Sequence, residues 1–237
     1  MDHQNWTPIY NIILEMEQQG RVTRTFRRLD LDRQQAIIGA ILDEAAESGP
    51  ATLNIKHVAE RAGVAVGSLY QYFGSRQGLI DFAVDLVVAV TSQQFLAWKD
   101  MLAAMPLREA LSAYISGGME WSEAEAAYAR FFARAAYAGE EEFTGRVVVP
   151  IATTLRDMVH EMVIHAAARG EIRPGVDLEA AARVLHALTI ATSDPIILPY
   201  LNAYFQLTDE TMPPERILEA MLDLIYRGIG AEESKLQ

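Results

Sequence analysis

The residues best suited to bind another molecule specifically are concentrated in positions 54–79. On a helix, at about 100° per residue, the stretch 65–73 places Leu69 and Phe73 on one narrow apolar side. The other side carries small or hydrogen-bonding side chains, including hydroxyls that can reach phosphate oxygens or base edges. These chemical groups are typical of nucleic-acid recognition. That side comprises Gly67, Ser68 and Gln71, flanked by Tyr70 and Tyr72.

Two short helices joined by a glycine turn are predicted in this stretch. Asn54 can cap the first helix, because its side-chain oxygen can accept an N–H group of the opening turn. Gly63 suits the left-handed backbone that often ends a helix. A helix-turn-helix places its second helix in the major groove of DNA. The pattern therefore predicts a DNA-reading helix that begins near Ala65.

The run AGVAVGSLYQYFGSRQGL, residues 62–79, resembles the DNA-binding signature of the tetracycline-repressor (TetR) family of bacterial transcriptional regulators. The resemblance implies an all-α fold. It would have an N-terminal three-helix helix-turn-helix DNA-binding domain, followed by a C-terminal helical domain for ligand binding and dimerisation. From the motif and the resemblance, the predicted DNA-binding residues are Asn54, Lys56, Ala65, Val66, Gly67, Ser68, Tyr70, Gln71, Tyr72 and Arg76.

Two positions depart from the family signature. Ala65 stands where the family usually has Ser or Thr, so the second helix lacks a side-chain N-cap that is typically worth about 1 kcal/mol. Arg76 replaces the usual Lys, which keeps the charge and adds a planar fork for phosphate. Neither departure argues against DNA binding.

The charge is distributed unevenly along the 237 residues, whose formal net charge is −12. Residues 20–80 hold eight Lys/Arg against six Asp/Glu, whereas residues 81–237 hold twelve against twenty-three. This asymmetry fits a near-neutral to basic DNA reader on an acidic body. Acidic side chains that merely solvate long helices explain the C-terminal excess equally well. With no cysteine, a disulfide and a thiolate metal site are excluded.

Residues 1–30 are predicted to be an extension that precedes the DNA-binding domain. A short amphipathic helix is expected over residues 5–19, with Ile9, Ile12, Ile13 and Met16 on its apolar side, ended by Gly20. A basic run follows. It is either an arm that reaches along the DNA backbone or into a minor groove, or a solvated charge run. The run contains Arg21, Arg24, Arg27 and Arg28.

The sequence predicts a cytoplasmic protein with no membrane contact. Residues 1–17 carry acids and amides where a secretory signal needs positive charge and a long apolar run. We also expect no apolar stretch long enough to span a membrane.

A helix-turn-helix domain is predicted over residues 31–77, and a helical regulatory and dimerisation domain over 78–237. No strand pattern and no internal repeat is apparent. Asp177 is the expected cap of a helix used for dimerisation. A proline-broken connector is expected after Pro195. The other predicted helices cover residues 31–48, 75–104, 107–119, 123–138, 141–169 with a kink at Pro150, and 215–229.

The C-terminal part is rich in methionine and aromatic residues. At helical spacing such residues are more often plain core, yet together they predict a pocket for a hydrophobic effector. Metal sensing is disfavoured, because His160 and His165 lie five positions apart and cannot chelate a metal from one helix face. No cofactor is predicted. The candidate pocket residues are Trp98, Met101, Trp121, Tyr128, Phe131, Phe132, Thr154, Met158, His160 and Met162.

Two amphipathic helices near the C-terminus can pair with those of a second copy as a four-helix bundle, which the family resemblance also implies. A homodimer would present two reading helices to a near-palindromic double-stranded operator. The candidate interface residues are Val184, Leu185, Leu188, Ala191, Met221, Leu222, Ile225 and Ile229.

We therefore interpret the chain as a ligand-responsive transcriptional regulator, a repressor that a small hydrophobic effector releases from DNA. Activation stays open, since it depends on operator position. The alternative is an all-helical small-molecule-binding protein or enzyme with a vestigial DNA-binding domain. No nucleophile elbow, phosphate loop, H-E-x-x-H or paired Glu-x-x-His motif supports an enzyme. The polar groups at positions 68–72 argue against a vestigial reader.

Overall fold

A computed structural model describes residues 6–231, apart from the side chain of Thr7. Within that range the backbone forms helices and turns, with no β-strand and only two isolated bridges. The predicted all-α fold is confirmed. The helices are α1 (Trp6–Gln18), α2 (Arg24–Arg27), α3 (Leu31–Ser48), α4 (Ile55–Arg61), α5 (Val66–Phe73), α6 (Arg76–Ala104), α7 (Leu107–Ala124), α8 (Ala126–Ala138), α9 (Glu141–Phe143), α10 (Val149–Ala168), α11 (Leu178–Ile197), α12 (Asn202–Phe205) and α13 (Pro214–Ile229).

Helix ends that depend on local caps lie close to their predicted positions. Asp30 caps α3, because its side chain accepts the Arg33 N–H at 2.9 Å. Ser75 precedes α6, and its Oγ accepts the Gly78 N–H at 2.9 Å. Asp177 caps α11 in the same way. Such caps satisfy N–H groups that have no partner inside the helix.

Several helix bounds differ from the prediction, and α8 begins at Ala126 where residue 123 was expected. α7 runs on from the predicted end at residue 119 to Ala124, since residues 120–124 contain no helix-breaking residue. α11 continues through Pro195 to Ile197, because the Asp194 carbonyl still accepts the Leu198 N–H at 2.8 Å. A further difference is a π-helical turn, Thr144–Val148, just before Pro150.

The chain forms two compact units, residues 1–93 with 124–151 and residues 94–123 with 152–237. The core of the first unit includes fully buried Ile37, Ile41 and Leu69. That of the second includes Leu111 and Val163. The extension belongs to the first unit with the helix-turn-helix, and the boundaries predicted after residues 30 and 77 remain a prediction.

Helix α1 buries the side chains that were expected to form its apolar side, Ile9, Ile12, Ile13 and Met16. Residue 5, where this helix was expected to begin, lies outside the described residues. Gly20 has a φ of 74°, the left-handed backbone conformation that often follows the last turn of a helix.

The basic run after α1 is not a free arm, although most of its side chains are exposed. Phe26 lies in the middle of this run, and its side chain is fully buried. Its ring centroid lies 5.8 Å from Tyr72, 5.1 Å from Phe73 and 5.5 Å from Phe82. An apolar ring in the middle of the arginines therefore folds the run onto the helices that follow it.

An ion-pair network ties three segments of the first unit together. Arg21 bonds Asp85 at 2.8 Å, and Arg146 of the π-turn bonds Asp81 at 2.6 Å. Burial alone would raise the Asp81 pKa, but hydrogen bonds from Arg146 and Gln77 outweigh burial and lower that pKa. Asp81 therefore stays ionised in the network.

Helix α6 corrects the expectation about membrane spans. Over an 18-residue window its mean hydropathy is 1.5, and its 29 residues are long enough to cross a membrane. Half of that window is buried inside the protein, as in the core helix of a soluble protein. The bent pair 178–205 also meets the length and composition criteria.

Replacing Phe26 by alanine should lower the free energy of unfolding by about 3–5 kcal/mol, because the deletion leaves a cavity among three aromatic rings. Urea denaturation measures the loss. Tyr204→Ala is the control, since Tyr204 is 85% exposed and should change stability by less than about 0.5 kcal/mol. Equal effects of the two substitutions would contradict the packing of the extension.

Candidate nucleic-acid interface

The turn between α4 and α5 has the expected cap and glycine. The Asn54 Oδ1 accepts the Lys56 N–H at 3.0 Å, and Gly63 has φ of 64°. The Val64 N–H then donates to the Ala59 carbonyl at 3.0 Å, which closes the end of α4. α5, which we call the recognition helix, starts two residues later.

A buried carboxylate holds α4 onto α3. Glu44 is 2% exposed, and its Oε1 accepts the Asn54 N–H at 3.3 Å and contacts His57 Nδ1 at 3.3 Å. Its Oε2 lies 3.6 Å from an Arg61 nitrogen. Sequence reasoning missed Glu44. The available signal in the sequence was a charged residue between the apolar residues Ile41 and Ala45.

The recognition helix presents polar groups outward from an apolar base. Leu69 is fully buried and Phe73 is 5% exposed, whereas Tyr70 is 45% exposed and Gln71 is exposed. Ala65 provides no side-chain cap, as its residue type requires. At the start of the recognition helix, Gly67 is exposed, and Val66 and Ser68 are half-buried. Lys56 on α4 and its cap Asn54 are also exposed.

Two predicted DNA contacts have other roles. Tyr72 is 8% exposed and its ring packs on Phe26, so its predicted outward position is wrong. The extension covers the side of the helix that carries Tyr72. The Arg76 fork donates from Nε to the Leu53 carbonyl at 2.9 Å and from Nη2 to the Ala51 carbonyl at 2.7 Å. Those two donors brace a turn and are not available to phosphate.

The extension also bonds the end of the recognition helix. The Thr23 N–H donates to the Tyr72 carbonyl at 3.0 Å, and the Thr23 Oγ–H donates to the Gln71 carbonyl at 3.1 Å. Sequence reasoning missed Thr23, because no local pattern relates residues 48 positions apart.

The candidate pocket residues are divided between the two units. In the first, Tyr128 and Phe131 are fully buried and Phe132 is half-buried. Among the residues described, the Tyr128 hydroxyl has no hydrogen-bond partner, and burial raises the pKa of that phenol. Glu125, which sequence reasoning missed, has an unpartnered carboxylate oxygen within the same described range, and burial raises its pKa.

In the second unit, Phe95 lies between two tryptophans, with ring centroids 5.4 Å from Trp98 and 5.3 Å from Trp121. Met158 and Met162 are each 1% exposed and Thr154 is half-buried. Two predicted lining residues are on the surface instead. Met101 is 55% exposed, and His160 Nε2 lies 3.3 Å from the carboxylate of Glu179 in a partly exposed contact.

An apolar groove of about 430 Å³ lies between α11 and α13. Six of the eight candidate interface residues line it, and Ala191 and Leu222 do not. Three lining residues are strongly exposed: Val184 by 59%, Leu188 by 42% and Leu224 by 73%. These six residues are Val184, Leu185, Leu188, Met221, Ile225 and Ile229.

A polar, exposed recognition helix on a buried scaffold, preceded by a glycine turn, defines a helix-turn-helix DNA-binding regulator. The family model of the bacterial regulatory proteins of the tetR family matches residues 37–82, the segment that contains this helix-turn-helix. The resemblance in its sequence is thereby confirmed. Comparison with curated proteins found no match.

Solved regulators share the fold at low identity. A TetR family transcriptional regulator from Chloroflexus aurantiacus is 21% identical with a TM-score of 0.61, covering 89% of this chain and 99% of that one. A ketosteroid transcriptional regulator of Mycobacterium tuberculosis is 17% identical with a TM-score of 0.60, covering 86% and 98%. The regulator FadR from Bacillus subtilis, in complex with stearoyl-CoA, is 18% identical with a TM-score of 0.58, covering 83% and 99%.

The double variant Tyr70→Ala/Gln71→Ala should lose sequence-specific DNA binding by about 10- to 100-fold, because two outward hydrogen-bonding groups disappear while the helix base stays intact. Fluorescence anisotropy against operator DNA measures the loss. Gln93→Ala/Tyr204→Ala removes the same two residue types from exposed positions elsewhere and should bind as wild type does. Unchanged affinity of the first variant would rule out α5 as the reader.

Proposed function

We propose that this protein is a cytoplasmic repressor that binds a near-palindromic operator as a homodimer and is released by a small, mainly apolar effector. The observation that carries DNA binding is the outward polar face of α5 above buried Leu69 and Phe73. The anisotropy experiment on Tyr70 and Gln71 tests it.

The homodimer is supported by the groove between α11 and α13. Exposed Val184, Leu188 and Leu224 form a continuous apolar surface with the groove lining, and such surfaces mark protein contacts. Two helices from each copy can build a four-helix bundle around a twofold axis. A twofold dimer would place its two recognition helices about 34 Å apart, one turn of DNA.

Buried polar atoms that lack partners among the described residues, and clustered aromatic rings, support the proposal that the protein binds an effector. Within residues 6–231, the Tyr128 hydroxyl and one Glu125 oxygen are buried without hydrogen-bond partners. A buried polar group left unpaired costs about 1–3 kcal/mol, which a ligand that bonds it would recover. In the second unit, the rings of Phe95, Trp98 and Trp121 offer a separate aromatic surface.

The effector acts by linkage. If it binds more tightly to a conformation with low DNA affinity, the DNA and the effector weaken each other equally. A differential affinity of about 1–3 kcal/mol changes DNA affinity some 5- to 150-fold. Neighbours solved with stearoyl-CoA, or described as a ketosteroid regulator or a gamma-butyrolactone receptor, suggest the compounds to try first.

Val184→Glu/Leu188→Glu should produce a monomer and lower operator affinity at least about tenfold, because four charges would face each other across the twofold axis. Light scattering after gel filtration gives the mass. Leu96→Glu/Val149→Glu is the matched control, since Leu96 is 52% and Val149 is 53% exposed and neither residue lines the groove. A dimer that survives the first pair would place the interface elsewhere.

Stearoyl-CoA, a ketosteroid and a γ-butyrolactone are the first effector candidates. We expect at least one of them to release the protein from DNA in the anisotropy assay. Tyr128→Phe should bind DNA normally but respond less to that compound, because the hydroxyl that the ligand would pair is missing. Full retention on DNA with all three compounds at their solubility limits would contradict an apolar effector.

A further inference from the structure

Thr23 caps the recognition helix from outside the helix-turn-helix. The carbonyls of the last turn of a helix have no partners within it. Thr23 supplies two donors to that turn, its N–H to the Tyr72 carbonyl and its hydroxyl to the Gln71 carbonyl. Phe26, three residues later, packs on Tyr72 and Phe73. The basic run is thus fixed to the end of the helix that reads DNA.

The four arginines of the run divide into two kinds. Arg21 is paired with Asp85, and Arg27 is paired with Glu17 and bonded to the Tyr10 hydroxyl at 3.2 Å.

Arg24 and Arg28 are exposed, and neither forms an ion pair among residues 6–231. They are four positions apart, so they project from one side of the run, roughly opposite Phe26. Two guanidinium groups therefore share one outward face without an internal partner.

We propose that residues 21–28 are a second DNA-contacting element, in which Arg24 and Arg28 bind backbone phosphates and Thr23 is a positioning residue. The proposal rests on the DNA-binding function and adds a partner surface to it. The major groove is about 12 Å wide and is flanked by phosphates. An element bonded to the last turn of a helix in that groove lies at its flank, where contacts fix the register of the protein on DNA.

The structure distinguishes this element from a minor-groove arm. An arm must be free to extend, whereas Thr23 is bonded through its main chain and Phe26 is fully buried. Arg27 is also occupied, because its guanidinium donates hydrogen bonds to Glu17 and to the Tyr10 hydroxyl. These bonds raise the pKa of Arg27 above its usual value. The proposed contacts come from the side chains of Arg24 and Arg28 on a fixed backbone. The fold therefore sets the distance between the two phosphates that they bind.

The first test is the salt dependence of binding for Arg24→Ala/Arg28→Ala. The probes are a duplex selected by the wild-type protein from a random library and an unselected random duplex. The slope of log K against log salt should decrease in magnitude by about 3.6 for a bound homodimer, since the variant removes four phosphate contacts and each contributes about 0.9. Affinity for both duplexes should fall by a similar factor, because phosphates carry no sequence.

Arg130→Ala/Arg216→Ala is the control, because it removes the same charge from two exposed arginines without ion pairs in the described chain. Its slope should stay within about 0.3 of wild type on the same phosphate scale. An unchanged slope for the Arg24/Arg28 variant, or an equal change in the control, would overturn the proposal. If the wild-type protein selects no duplex, the DNA-binding function itself fails instead.

The second test isolates Thr23. Thr23→Val keeps the branched shape and the main-chain bond but loses the hydroxyl donor to the Gln71 carbonyl. We expect affinity for both duplexes to fall about fivefold and the salt slope to become shallower, because misplaced arginines lose phosphate contacts that carry no sequence information. Thr23→Ser should restore both properties. A merely structural Thr23 would lower the unfolding midpoint and leave the salt slope unchanged.

Discussion

The contact of Phe26 with Tyr72, Phe73 and Phe82 is the interaction on which the DNA-reading surface depends. It joins the extension, the recognition helix and the start of α6 around one buried ring. Each aromatic pair adds about 0.5–1.5 kcal/mol beyond the area it buries. By taking Tyr72 into the core, the cluster also decides that Tyr70 and Gln71 are the residues left facing outward.

Glu44 is a polar counterpart of that cluster on the other side of the reader. A carboxylate that is 2% exposed is tolerated only when it is bonded, and Glu44 meets the Asn54 N–H, His57 and Arg61. The same Asn54 caps α4, so one residue links the start of the helix-turn-helix to the helix beneath it. The polar contacts of Glu44 therefore fix the position of α4, and the packing of aromatic rings fixes the position of α5.

Features that depend on near neighbours in the chain could be predicted from the sequence. Asn54, Gly63 and Asp177 act within a few residues of their own positions, and the helix ends beside them lie where expected. Tyr72 and Thr23 could not be placed, because their partners are separated from them by tens of residues. The periodicity of α5 alone left Tyr72 at the edge of the polar face, and only the extension decides its side.

Some local signals were also ambiguous on physical grounds. Arg76 carries the charge a phosphate contact needs, yet the same fork satisfies the Leu53 and Ala51 carbonyls. A proline was expected to end α11, but the bond from Leu198 to Asp194 carries the helix past Pro195. In both cases a hydrogen bond formed in the folded protein decides the outcome, and the type of the residue alone does not predict that bond.

The π-helical turn at Thr144–Val148 has a consequence for how related chains can vary. A π-turn spans one more residue than an α-helical turn, so deleting a single residue there would restore α-helical geometry. The residues before the deletion would then rotate by about 100° about the helix axis. Relatives that differ by one residue in length in this segment would carry a different side chain toward Asp81 and Asp85. A one-residue deletion here would therefore break the charge network that links the extension to the π-turn, even with Arg146, Asp81 and Asp85 all retained.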